Sequence, residues 1–224
     1  MKKVLLALIV CALVAPAAMA QIAGTAHDLS TFTDTTEVCV FCHTPHDAIV
    51  NAPRATNQYP LWNHNQNGAL SFTVYDSVTM DQHPGDPGYD DFAGGANFST
   101  ALCMSCHDGT IAVNDLVNGP GPGDGVVTLT GNSPGGGVDV GDGLLDAGAA
   151  FIGNDLTNDH PVNLDYTVSQ AATPLELVAG AGGLTLFANR IQCATCHDPH
   201  DDSNGMFLVA TNAASALCTT CHVK

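Results

Sequence analysis

Apolar residues fall along this chain in short, widely spaced groups. Val4 to Val14 is the one sustained run; it follows Met1-Lys2-Lys3 and leads to Ala18-Met19-Ala20 and then Gln21. A basic start, a short apolar stretch and a small-x-small site predict a secretory signal peptide over residues 1–20, too short to cross a bilayer as a helix. Cys11 follows Val10, where a lipidation signal wants a small residue, so an exported chain from Gln21 is expected rather than a lipoprotein. Farther on, Val126-Val127-Thr128-Leu129 reads as extended, and Leu184-Thr185-Leu186-Phe187 and Met206-Phe207-Leu208-Val209 read as short strands. Residues 213–221 read as a short helix. Asp86-Pro87-Gly88 marks a turn within a stretch rich in Asn, Asp and Gly. Residues 119–148 hold 11 glycines in 30 positions and predict a solvated loop. Periodic apolar content is too thin for a two-layer core. The expected fold is mostly irregular coil with a few short helices and strands, in one domain over residues 21–224.

Charge narrows the partners. The chain carries 22 acidic and 5 basic residues, and Lys2 and Lys3 leave with the signal. Three basic against 22 acidic residues give the remainder a formal charge of −19. Such a surface repels nucleic acid and anionic lipid. No segment after residue 20 is long and apolar enough for a membrane span.

Cysteine supplies the chemistry. Beyond residue 20 the thiols fall in four pairs: Cys39 and Cys42, Cys103 and Cys106, Cys193 and Cys196, Cys218 and Cys221. Each pair encloses two residues and is followed at once by a histidine: His43, His107, His197 and His222. Zinc sites and disulfide frameworks also use paired cysteines, but neither requires histidine after every pair. Thioredoxin-like motifs come singly, within an α/β pattern absent here. Cys-x-x-Cys-His attaches c-type heme. Two thiols add across the two vinyl groups of one heme, and the adjacent imidazole ligates its iron. The spacing predicts four covalent hemes, whose macrocycles would supply the core the side chains do not.

Each iron needs a second axial ligand. Six histidines remain, His27, His46, His64, His83, His160 and His200, against Met80 and Met206 as thioether candidates. Met104 lies inside its own attachment loop. The count favours bis-histidine irons. His46 and His200 each stand three residues after a motif histidine, so neither can reach the far face of that heme, but each can reach a neighbouring one. His27 and His160 stand beside Asp28 and Asp159, which could orient their rings. His64 reads as packed or solvated and His83 as surface, leaving His27, His46, His160 and His200 as the expected distal set.

Several segments together carry a resemblance: Gly24-Thr25-Ala26-His27-Asp28-Leu29, Cys39 to His46, Pro60-Leu61-Trp62-Asn63, Cys103 to Gly109, Asn158-Asp159-His160-Pro161-Val162 and Cys193 to His200. They are similar to the tetraheme extracellular cytochromes of metal-reducing bacteria, the OmcE-type proteins that polymerise into heme-lined filaments. The resemblance spans most of the chain after residue 20, but not residues 119–148. It implies bis-histidine hemes, a largely coiled fold and one ligand that crosses between subunits.

Three functions compete. The first is a filament subunit, secreted to the cell exterior, that joins head to tail and conducts electrons to extracellular acceptors. The second is a soluble periplasmic tetraheme carrier. The third is a multiheme reductase, which would need an open iron and often a variant motif; all four motifs end in histidine, so no enzyme is expected. In the filament reading His46 is the expected crossing ligand, with the heme on His222 of the next copy as acceptor. His27 is the alternative donor, and service of heme 2 in its own chain is the other fate of His46.

Overall fold

The computed structural model describes residues 21–46, 61–66, 71–87, 89, 98–121, 125–174 and 176–223. The expected signal peptide lies outside these residues. Most of the chain is coil and turn, as expected. Among the described residues there are four short α-helices: α1 (Phe98–His107), α2 (Tyr166–Ala172), α3 (Cys193–Cys196) and α4 (Ala216–Thr219). One two-stranded parallel sheet pairs β1 (Thr73–Val74) with β2 (Asp155–Leu156). Among the described residues no helix is long and apolar enough to cross a membrane.

Helix α1, the longest, forms where the chain is free of Gly and Pro and stops at Asp108-Gly109. There Gly109 takes φ +72° and its N–H bonds the Cys106 carbonyl, a left-handed exit that a side chain resists. Helix α2 starts at Asp165, whose carboxylate accepts from the Thr167 N–H at 2.9 Å. It buries Tyr166, whose hydroxyl donates to the Val178 carbonyl at 2.6 Å. The expected helix over 213–221 is broken: Ala214 and Ser215 are left-handed, and only α4 is α-helical.

Two expected strands are absent. Leu184 to Phe187 leads into a tight turn at Ala188 and Asn189, both with positive φ, which closes Phe187 onto Arg190. Met206 and Phe207 are likewise left-handed, so only Leu208 bridges, to His197. Left-handed residues end a strand because they turn the next peptide out of the pleat. The extended reading of Val126 to Leu129 holds, with Val126 exposed, Val127 buried and Leu129 bridged to Thr33.

Four small clusters replace a continuous core. Phe32, Val113, Val138 and Leu145 form the first; Val40, Phe41 and Val127 the second; Met104 and Leu156 the third; Tyr166, Ala181 and Ile191 the fourth. Cys106, Cys42 and Cys221 pack against the first, second and fourth. Val127, Val138 and Leu145 come from the glycine-rich stretch, which is therefore packed structure in part and not simply solvated loop. Gly143 shows how it packs: a Cβ there would stand 2.8 Å from Asn114 Oδ1.

Buried amides do much of what ladders do elsewhere. Asn63, fully buried, donates to the carbonyls of Val40 (2.6 Å) and Asn118 (2.8 Å) and accepts from the Asn118 N–H (2.9 Å). Gln82 accepts from the Asp165 N–H and donates to the Ser169 hydroxyl. Gln192 caps α1 from a position more than 90 residues away in sequence: its Oε1 accepts from the Ser99 N–H (2.9 Å), the Ser99 hydroxyl (2.6 Å) and the Thr100 N–H (3.1 Å).

Candidate heme sites

Each motif histidine is pinned through its backbone to a distant segment. His43 bridges Trp62, His197 bridges Leu208 and His222 bridges Leu177. The His107 carbonyl, at the end of α1, accepts from the N–H groups of Ile152 and Gly153. The attachment segments are thus fixed from outside, while the Cys-x-x-Cys turns close on themselves through His43 N–H to Cys39 O, His197 N–H to Cys193 O and His222 N–H to Cys218 O.

Attachment cysteines of different motifs shift one another's thiols. Cys42 and Cys106 are close enough that each negative charge would oppose the other; burial and this proximity hold the Cys42 thiol up at about 12. The neighbouring Cys193 thiol and burial raise the Cys103 thiol well above its ordinary range. Burial first, then Cys221, raises Cys196.

Six histidines meet as three pairs. His43 and His200 have ring centres 6.0 Å apart and planes 12° apart. His27 and His107 are 6.2 Å apart at 81°, and His160 and His222 are 6.4 Å apart at 61°. Each pair joins a motif histidine to one outside the motifs. Two imidazoles on opposite sides of one metal, each bonded at about 2 Å, have ring centres about 6 Å apart. The donor set therefore fits a bis-imidazole iron at three motifs.

The second ring nitrogen is engaged in a way that leaves the first for metal. Nδ1 of His27 faces the Pro199 carbonyl (3.3 Å), that of His107 the Ala150 carbonyl (2.7 Å), that of His160 the Pro161 carbonyl (2.9 Å) and that of His197 the Met206 carbonyl (2.9 Å). Nδ1 of His200 faces the Asp198 carboxylate at 3.1 Å. Carbonyl oxygens only accept, so Nδ1 carries the proton and Nε2 a lone pair. Asp28 and Asp159 do not orient His27 and His160, as their sequence proximity had suggested; Asp28 instead accepts from the Gly24 N–H and the Ser30 hydroxyl. Burial lowers the His27 pKa, with the nearby rings of His107 and His200 adding to it, which favours the neutral, metal-binding form.

His64 is separated from this set by its chemistry. It is fully buried, bridges Leu116, and spends Nε2 on the Ala112 carbonyl at 2.9 Å. It is a packed histidine. His83 is half-exposed and pairs with Asp76 at 2.6 Å, a surface histidine as expected. His46 is exposed, and its main-chain carbonyl accepts from the Thr44 hydroxyl and the Asn118 side chain. Among the described residues neither His46 nor His197 has a second imidazole opposite it. The fixing roles of Asn63 and Gln192, and the carbonyls that orient the rings, were not read from the sequence; no local pattern reports contacts between segments so far apart.

Residues 186–224 match the family described as the doubled CXXCH motif. The matched segment holds Cys193, Cys196, His197, Cys218, Cys221 and His222. None of the curated proteins matches the chain. The doubled motif carries covalent heme c, and with it the class: a multiheme c-type cytochrome of electron transfer.

Proposed function

We propose that the chain holds four hemes, one per motif, and serves as a filament subunit that carries electrons outside the cell rather than as an enzyme. The observation that carries this reading is the three imidazole pairs at 6.0–6.4 Å, each between a motif histidine and a distant one. When bound, each heme supplies one-electron chemistry at its iron. The chain's own residues do the rest. Cys39/Cys42, Cys103/Cys106, Cys193/Cys196 and Cys218/Cys221 hold the groups covalently. His200, His27 and His160 lie opposite His43, His107 and His222 and close those irons to exogenous ligands.

This pairing revises the expected crossing contact. His160 faces His222 at 6.4 Å, so the acceptor we propose is a site other than the one on His222. His27 likewise fills the place beside His107 that His46 of the same chain would need. The iron on His197 is the one left, and His46 is the exposed histidine left. In the proposed filament, His46 of one copy ligates the iron on His197 of the next. A heterologous contact of this kind need not close, and open growth gives a fibre. A metal–ligand bond also offsets the repulsion between chains at −19.

The secreted protein should show four covalent hemes by intact mass and filaments by negative-stain microscopy. The His46→Ala variant should keep four hemes, fail to polymerise, and show one high-spin iron in its optical spectrum. Normal His46→Ala filaments with every iron low-spin would refute the crossing ligand. Parent protein that stays monomeric with four low-spin hemes would favour the soluble periplasmic carrier.

A further inference from the structure

The α1 helix carries the second motif and α3 the third, and the two helices pack together. Their junction is polar and closed to solvent. Ser99, Thr100, Gln192 and Thr195 are all buried, and Thr100 and Thr195 almost completely. Gln192 Oε1 accepts three hydrogen bonds from the first turn of α1, whose N–H groups would otherwise be orphaned. The same residue opens α3: its N–H donates to the Thr195 hydroxyl at 3.0 Å, and its carbonyl accepts from the Thr195 N–H at 2.9 Å. The Thr100 hydroxyl returns the link by accepting from the Cys193 N–H at 3.3 Å. One turn farther along α1 stands Cys103, and α3 itself begins at Cys193. A single residue thus starts both helices, through its side chain at α1 and its backbone at α3, and each helix carries a different attachment motif.

We propose that Gln192 is the positioning residue for the contact between the second and third heme sites. It fixes the starts of the two helices that carry the second and third motifs relative to one another and thereby sets the rate of electron exchange between those sites. The exchange moves one electron from the site at Cys103/Cys106 to that at Cys193/Cys196, or back, with no atom or proton transferred. Gln192 touches neither iron in this account; it acts through the two helix starts. A helix cap is a good device for the purpose because its bonds are made in the first turn and carried rigidly along a short helix. Exchange across a contact falls steeply with separation, so loosening this junction slows one step of the chain and leaves the others unchanged.

The inference rests on the proposed heme occupancy, and the test separates the two. Parent, Gln192→Leu and Gln192→Glu proteins are compared by intact mass, by hydrogen exchange at the Ser99 and Thr100 amides, and by NMR of exchange between the assigned hemes at partial oxidation. Glutamate keeps an acceptor that the helix start favours, whereas leucine keeps only bulk. Gln192→Leu should lose amide protection and slow exchange between the second and third hemes several-fold, with the other heme pairs unchanged. Gln192→Glu should stay near the parent. Loaded Gln192→Leu protein with unchanged exchange overturns the proposal, as does uniform slowing at every pair. Parent protein lacking heme on the second or third motif overturns the reading beneath it. Should Gln192→Leu fail to load, Thr100→Val removes the single link to the Cys193 N–H and must show the same selective slowing, or the proposal fails.

Discussion

Asn63 offers a direct measure of how a fold with so little regular structure holds a heme site. Its fully buried side chain meets three main-chain groups, the carbonyls of Val40 and Asn118 and the N–H of Asn118, at 2.6–2.9 Å. Its own N–H donates to the Cys42 carbonyl, next to the His43–Trp62 bridge. Replacing it with leucine keeps the volume and removes all three bonds, one of them wholly buried. Each lost bond costs about 1 kcal/mol and a buried group left unmatched about 1–3 kcal/mol, so Asn63→Leu should destabilise the protein by about 3 kcal/mol or more. That is a large share of the roughly 5–15 kcal/mol typical of a domain. Asn63→Asp tests the polarity of the contact. The new carboxylate still accepts from Asn118 but turns its other oxygen toward two carbonyls. Burial without a donor should raise its pKa above the unfolded value of about 3.9. An acid whose folded pKa is raised is penalised in the folded state once it ionises. The deficit should be small below the unfolded pKa and should grow as pH rises through the folded one. Guanidinium unfolding of the heme-loaded protein, followed by far-UV circular dichroism between pH 3.5 and 7.5, reads both effects, with an unchanged slope as the check on comparable states. An Asn63→Leu protein within about 0.5 kcal/mol of the parent, the usual range for unremarkable surface changes, would refute the argument.

Three further expectations follow from the imidazole pairs and the surface. Near-parallel rings at His43 and His200 should give a rhombic low-spin electron paramagnetic resonance signal, and near-perpendicular rings at His27 and His107 a strongly anisotropic one. His200→Ala should remove the first and spare the second; loss of the anisotropic signal instead would invert the assignment. Reduced parent protein, in the assembled state we propose, should bind no stoichiometric carbon monoxide, since an imidazole is proposed on each side of every iron, and a stable adduct would show an open site. The Asp76 hydrogen bond raises the pKa of His83 above 6.5, so the stabilisation from this exposed pair is fully present below about 6.5 and is lost as pH rises through the folded value. NMR titration of the His83 ring should show the pKa fall in Asp76→Asn, and an unchanged value would remove the pair as its cause.

The covalent chemistry was legible at once because Cys-x-x-Cys-His is contiguous: its thiols and imidazole must sit within five residues to meet one macrocycle. The coil-rich fold was legible from the lack of apolar period. Helix α1 was not foreseen, because its cap is Gln192 and its start has no local signal. The strands expected near residues 184 and 206 failed on backbone conformation, since Ala188, Asn189, Met206 and Phe207 adopt positive φ that composition does not announce. The glycine-rich stretch misled by its average: three apolar residues among the glycines decide where it packs. The distal histidines could be counted from the sequence but not paired, because pairing depends on contacts such as His43 with His200, 157 positions apart.

That last separation bears on how the molecule is completed. The Gln21 N–H bonds the His200 carbonyl, His27 bonds the Pro199 carbonyl and stacks on Phe207 at 4.2 Å, and His43 faces His200. The segment that leads the chain is therefore closed by a segment near its other end. In a chain delivered in sequence order, the first-delivered quarter waits for almost all the rest before its contacts exist. Closing so long a loop is slow relative to local turns, whatever its final stability. Cys39 and Cys42 thus spend longer accessible than any later pair and must stay reduced through that interval. The first heme site has the earliest opportunity for attachment and the greatest exposure to wrong disulfide pairing.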